Sequence, residues 1–154
     1  MNRLRARAAA LALLLCGARA LAAQPDDIVG VWFNEEQDAK IELARCGVKY
    51  CGTIVWLKEP LYPAGSDEGT PGTPKADRNN PDPARRTAPI IGLRIVHDFV
   101  YAGDNVWEDG KVYDPDNGKT YSGKMTLVSH ERLELRGYIG ISLIGRTTTW
   151  TRAK

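Results

Sequence analysis

The chain has 154 residues, 43% of them hydrophobic and 26% charged, with a formal net charge of +2. That is the length of one domain, and the apolar fraction excludes a disordered chain. With 15 glycines and 3 cysteines, it is neither collagen-like nor a disulfide-dense mini-protein.

Residues 1–23 read as a secretory signal. Arg3, Arg5 and Arg7 give a cationic start, Ala8 to Cys16 an uncharged Ala/Leu run, and Ala20-Leu21-Ala22 a small-x-small cleavage pattern near Ala22 or Ala23. The apolar run is too short for a membrane span of about 20 residues. The arginines are not adjacent, which excludes a twin-arginine signal. Leu15 stands where a lipoprotein signal has a small residue, so lipidation of Cys16 is the lesser alternative. Cleavage removes Arg3, Arg5, Arg7 and Arg19 from the 21 basic residues, leaving 17 against 19 acids, a net of −2. An exported chain of that charge has no electrostatic motive for a nucleic-acid or anionic-membrane partner. The expected compartment is the periplasm or the exterior, and no later segment is apolar enough to span a bilayer.

The mature chain, 24–154, keeps Cys46 and Cys51. A close pair in an exported protein is expected to form a disulfide. Half a metal site is the rival, but His97 and His130 are both distant in sequence. So small a loop contributes about 2 kcal/mol in the chain-entropy model. Placing Cys46 opposite Cys51 also sets a register, with Leu43 opposite Ile54 and Ile41 opposite Trp56, all four on one face.

In chain order, strands are predicted at Ile28 to Asn34, Ala39 to Cys46 and Cys51 to Leu57. Ile90 to Tyr101 follows, with Ile91, Leu93, Ile95, His97 and Phe99 on one side. Asn105 to Tyr113 holds one or two short strands that break near Asp109-Gly110. After the turn cluster Asp114-Pro115-Asp116-Asn117-Gly118 come Thr120 to Val128, Arg132 to Gly137, Ile139 to Ile144 and Arg146 to Arg152. No convincing 3.6-residue apolar repeat interrupts them. Many short strands in one domain indicate a sandwich or a closed barrel.

Residues 58–89 depart from this pattern. They hold seven of the nine prolines and form one long loop. Its second half, Asp77-Arg78-Asn79-Asn80-Pro81-Asp82-Pro83-Ala84-Arg85-Arg86, combines turn-forming Asn and Asp with forked arginine donors. Long loops in compact domains are functional or disordered.

Gly30-Val31-Trp32 on the first mature strand and Trp150-Thr151-Arg152 on the last resemble the lipocalin and fatty-acid-binding superfamily. That resemblance implies Arg152 lying over the face of Trp32 at the closed end of a barrel, a cation–π contact. A match over nearly the whole mature chain resembles an uncharacterised family of small exported bacterial proteins, the domain of unknown function 2147. It is carried by Gly30-Val31-Trp32, Tyr50-Cys51-Gly52, Asp77-x-Asn79-Asn80-Pro81-Asp82 and Pro89-Ile90-Ile91-Gly92. Tyr113-Asp114-Pro115, Gly118 to Lys124, Arg136 to Gly140, Gly145-Arg146-Thr147 and Trp150-Thr151-Arg152 complete it. The resemblance implies fold and compartment and brings no catalytic residues with it. The expected architecture is all-β: a single antiparallel up-and-down barrel of eight to ten strands with one long Pro-rich loop.

Catalytic signatures are weak. Gly140-Ile141-Ser142-Leu143-Ile144-Gly145 is one residue off a nucleophile elbow and lacks the strand-to-helix context. Asp114, Asp116 and Gly118 lack the later acidic ligand of a calcium loop. No cofactor and no metal are expected. The leading expectation is a barrel that binds one small amphipathic or apolar ligand at its mouth. Asn79, Asn80, Asp82, Arg85 and Arg86 from the loop would contact it, together with His97, Tyr121 and Arg146. The alternatives are an envelope protein-interaction module using the loop or an open sheet edge, and an enzyme using loop acids and arginines.

Overall fold

A computed structural model describes residues 23–154, so the signal assigned to 1–23 lies, but for Ala23, outside the described residues. Eight strands make the fold: β1 (Gly30–Phe33), β2 (Ala39–Cys46), β3 (Lys49–Leu57), β4 (Arg94–Gly103), β5 (Val106–Asp114), β6 (Lys119–Ser129), β7 (Arg132–Tyr138) and β8 (Gly145–Arg152). Each pairs antiparallel with the next, and β8 returns to β1, closing a barrel. Among the described residues, the one helical element is a short 3-10 turn at Pro83–Arg85.

An up-and-down barrel puts alternate connections at opposite ends. The tight turns after β2, β4 and β6 share one end, the floor, with the chain ahead of β1. The connections 34–38, 58–93, 115–118 and 139–144 share the other, the mouth. The closing seam is short. Only Trp32↔Arg152 and Phe33↔Thr151 pair between β1 and β8, so β8 runs past β1 toward the mouth.

The floor is solid. Trp32 is fully buried, and its Nε1 donates to the Ile28 carbonyl at 2.8 Å. The Arg152 guanidinium lies 4.1 Å from the Trp32 ring centre, the cation–π plug expected from the sequence. It also donates to three carbonyls, of Asp27 (2.6 Å), His130 (2.7 Å) and Val29 (3.1 Å). One side chain thus ties the N-terminal segment, β8 and the β6–β7 turn together. Trp107 Nε1 donates to the Pro25 carbonyl and the Tyr101 hydroxyl to that of Ala23. Tyr50 donates to Asp26 at 2.8 Å, and burial, then this bond, pushes its pKa up to about 12. Above them Phe99, fully buried, fills the lumen. A Cβ added at Gly110 or Gly123, on the neighbouring strands, would come within 2.1 or 2.3 Å of its ring. Those two glycines give the ring its space.

Several expectations need correction. The β2–β3 hairpin pairs Leu43 with Gly52, Ile41 with Ile54, Cys46 with Lys49 and Ala44 with Cys51. This is two residues from the predicted register, because a two-residue turn at Gly47-Val48 closes it. A slip of two preserves the faces, so Ile41, Leu43 and Ile54 still point inward. The disulfide forms between diagonal neighbours, with Cα atoms 5.9 Å apart. Trp56 faces outward. A register shift at Lys40/Ile41 pairs it with Lys40, whose Nζ sits 5.2 Å from the indole centre, and Phe33 packs edge-on beside it.

In β4 the alternation predicted from Ile90 fails. The strand starts at Arg94, and register shifts against β3 bring Ile95 and Val96 both into the core. Asp98, at φ 61°, marks the irregularity before Phe99 turns inward again. His97 is thereby moved off the inner row. It sits opposite Lys111 on β5. The segment predicted at Asn105 to Tyr113 is one continuous strand, Val106–Asp114, whose irregularity falls at Asp109, φ 61°. Ile139 to Ile144 is a mouth loop and not a strand: Gly140, at φ 78°, turns the chain out of β7.

Candidate functional site

The mouth is organised by the long loop. Asp77, wholly buried, accepts from the Tyr113 hydroxyl and from Asn80 Nδ2, each at 2.6 Å, while its own N–H donates to the Ala88 carbonyl. Burial, then the bond to Asp77, pushes Tyr113 up to about 12. Asn79 Nδ2 donates to the Asp116 carbonyl at 2.9 Å. A Cβ at Gly118, itself at φ +70°, would come within 1.9 Å of the Asn79 carbonyl oxygen. The turn therefore needs glycine both for its backbone and for the loop seated on it. A segment that reads as a free insertion is docked onto β5 and the β5–β6 turn.

With the loop so placed, two adjoining lobes open above the packed floor. Ile95, Pro115 and Trp150 line both. One lobe, about 540 Å³, has an apolar base of Ile41, Ile54 and Leu57 under a polar rim. Glu36, Asp38, Glu59 and Asp116 on that rim outnumber Lys58 and Lys75, and Lys75 approaches Glu59 at 3.8 Å. Burial, then the negative charges of Asp114, Asp38, Glu68 and Glu36, raises Asp116 above the ordinary aspartate value. The second lobe, about 680 Å³, is aromatic and aliphatic, with Tyr113, Tyr121, Leu135, Tyr138, Ile139 and Ile144 in its wall. At its edge Arg146 reaches Glu35 at 3.2 Å and Glu36 at 3.7 Å. An apolar concavity with a few polar groups at one side suits an amphipathic small molecule.

The candidate residues divide sharply. Tyr121 and Arg146 line the aromatic lobe, and the Tyr121 hydroxyl accepts from Asn117 Nδ2 at 3.1 Å. Asn79 lines a separate polar recess of about 500 Å³ between the long loop and the β5–β6 turn. Asn80 and Asp82 are occupied with loop structure: Asn80 accepts from the Asp82 N–H at 2.9 Å, and Asp82 caps the 3-10 turn by accepting from the Ala84 N–H. Arg85 stands 3.6 Å from Asp82, and Arg86 Nε donates to the Asn80 carbonyl at 2.8 Å. His97, Asn80, Asp82, Arg85 and Arg86 line neither lobe. The four loop residues are at the mouth end but outside both lobes, and His97 is on β4 away from the inner row. The loop's polar groups satisfy one another, and β4's irregularity turns His97 away. Sequence reading missed Ile95, Leu135 and Trp150 as cavity floor. Their inward alternation was the available signal. It missed the acids of the first lobe because they come from three separate connections.

Such an architecture, a closed eight-stranded barrel with a plugged floor and a hollow mouth, defines a lipocalin-like protein. A solved structure, "Protein HP1028 from the human pathogen Helicobacter pylori belongs to the lipocalin family", superimposes with a TM-score of 0.67 at 23% identity, covering 82% of each chain. That likeness concerns the fold. No curated protein matches the sequence. The family profile described as "Uncharacterized protein conserved in bacteria (DUF2147)" matches residues 30–152, and the chain belongs to that family.

Proposed function

We propose that the barrel binds one small amphipathic molecule at its mouth. Its apolar part would occupy the aromatic lobe over Ile95, Leu135 and Trp150. Its polar end, neutral or cationic, would face Glu36, Asp38 and Asp116. The carrying observation is the contrast inside one lumen: Phe99 fills the lower half, while two lobes of about 540 and 680 Å³ open above it. Four acids against two lysines on the rim of the first lobe disfavour an anionic head group there. Export to an oxidising compartment belongs to the same reading. It is supported by the order of regions in residues 1–23 and by the Cys46–Cys51 disulfide.

The test is native mass spectrometry of protein purified without detergent from its own envelope, beside Gly137→Leu. Gly137 lines the aromatic lobe, and an added Cβ there meets Tyr121 only at ordinary contact distance, 3.6 Å. The larger side chain should fill the lobe without straining the strand. Wild type should carry a bound amphiphile and the variant should not. Equal occupancy in both, or none in wild type, contradicts the reading. A protein partner is the second reading, favoured by the short seam that leaves β8 unpaired with β1 from Gly145 to Trp150. It predicts a discrete envelope protein co-purifying with the chain.

A further inference from the structure

The barrel wall is complete over only part of its height. β1 ends at Phe33, and from Gly145 to Trp150 no β1 residue pairs with β8. Those six residues of extended chain cover roughly 17 Å, so a slit separates β8 from the 34–38 connection. Both banks of the slit belong to the lobes. Asn34, Glu36 and Asp38 line the first lobe on one bank, and Arg146 and Thr148 line the aromatic lobe on the other. Trp150, at the foot of the slit, borders both.

One side chain spans it. Glu35 accepts from the Thr149 N–H through Oε1 and from Arg146 Nη2 through Oε2, each at 3.2 Å. Above the Phe33↔Thr151 pair, and among the described residues, the other polar contact between the banks is the 3.7 Å approach of Arg146 to Glu36. The Arg146 and Glu35 side chains are 75 and 40% exposed, so water and salt weaken their pairing. The other mouth connections are held more firmly. The long loop is docked through the buried Asp77, and Arg136 donates to the Ser142 and Leu143 carbonyls of the 139–144 loop. The connection that carries Glu35 keeps its own shape, because Asn34 Oδ1 accepts from the Asp38 and Ala39 N–H groups.

From this placement we infer that the slit between β8 and the 34–38 connection is a side portal to the lobes, and that Glu35 is its latch. When the latch releases, an amphiphile passes between the banks and reaches the lobes at Trp150 without displacing the docked long loop. This inference rests on the pocket reading and adds regulation to that site. Glu35 lines neither lobe. It therefore acts on the route and not on the bound molecule, and sets the rate of exchange while leaving the affinity alone.

The test is stopped-flow exchange of the neutral probe N-phenylnaphthylamine in wild type, Glu35→Ala and Glu35→Gln. Glu35→Ala should raise the association and dissociation rates together, on the order of fivefold, for the loss of one exposed ion pair and one hydrogen bond. The equilibrium affinity should stay the same. Glu35→Gln keeps an acceptor for Thr149 and should fall between the two. Raising salt from about 0.05 to 0.5 M should speed exchange more in wild type than in Glu35→Ala, because the probe is uncharged and the latch is ionic. Saturable binding with unaltered rates in Glu35→Ala overturns the portal and leaves the pocket standing. A weakened affinity at an unchanged association rate also overturns it, since Glu35 would then be touching the probe. An equal salt response in the two proteins overturns it by assigning faster exchange to general loosening. No saturable binding in either protein defeats the pocket reading, and the portal with it.

Discussion

The two halves of this barrel are built from the same eight strands to opposite ends. In the floor half the large side chains are packed or bonded: Arg152 on the Trp32 ring, Phe99 against Gly110 and Gly123, Trp107 and Tyr101 on the carbonyls of Pro25 and Ala23. In the mouth half the strands diverge into connections, the buried Ile95 and Trp150 border two lobes, and the loop at 139–144 turns its apolar residues outward. The contrast teaches where to look for each property. The packed contacts are concentrated at the floor, and the open lobes lie at the mouth.

Substitutions should separate the halves by size of effect. Phe99→Ala should be the most damaging, about 4 kcal/mol, because it empties a site that Gly110 and Gly123 leave open for the ring and that neither can fill. Equilibrium urea unfolding measures this; a loss below about 1 kcal/mol would show that the floor is not tightly packed. Arg152→Ala should cost roughly 2–3 kcal/mol, through the cation–π contact and three carbonyls left without their donor. Its melting temperature should fall by several degrees, and exchange of the amides near residues 23–29 should accelerate. Little change in that segment would show that Arg152 does not hold it. Breaking the disulfide with Cys46→Ser/Cys51→Ser should cost about 2 kcal/mol, the entropy of one small loop, with ligand binding retained because both cysteines lie far from the mouth.

Alkali should give the smallest effect. Tyr50 at the floor and Tyr113 under the long loop each have a pKa raised to about 12. A tyrosine of raised pKa favours its neutral form in the folded state. The stability it adds is complete below the unfolded value near 10 and disappears as pH climbs through about 12. Melting temperatures should therefore fall across that window, and Tyr113→Phe should lessen the fall by removing one of the two groups. An unchanged alkaline profile in that variant would show that Tyr113 does not respond to Asp77.

Much of the floor was legible from sequence because its signals are local or terminal. Gly30-x-Trp32 and Arg152 announced the plug, period-2 alternation marked most strands, and Asp114 to Gly118 spelled its turn. The mouth was less so, for physical reasons. Irregular pairing moves a residue to the other face with no compositional trace, as happened to His97 and Trp56. The run Ile139 to Ile144 has strand composition, but Gly140 turns it out of β7 and Arg136 holds its carbonyls in a loop. Seven prolines in 58–89 marked a long connection, but its docking depends on Asp77 finding Tyr113, 36 residues away in sequence. Of the two loop arginines, Arg86 is held to the Asn80 carbonyl, while Arg85 stays exposed 3.6 Å from Asp82, and neither lines a lobe.

The most direct measurement is a fluorescence titration of the purified mature chain with N-phenylnaphthylamine, followed through both the probe and Trp150, whose indole borders both lobes. A hollow mouth over a filled floor predicts saturable one-to-one binding that perturbs Trp150 emission and is lost in Gly137→Leu. Absence of saturable binding, or binding that Gly137→Leu leaves untouched, would contradict it.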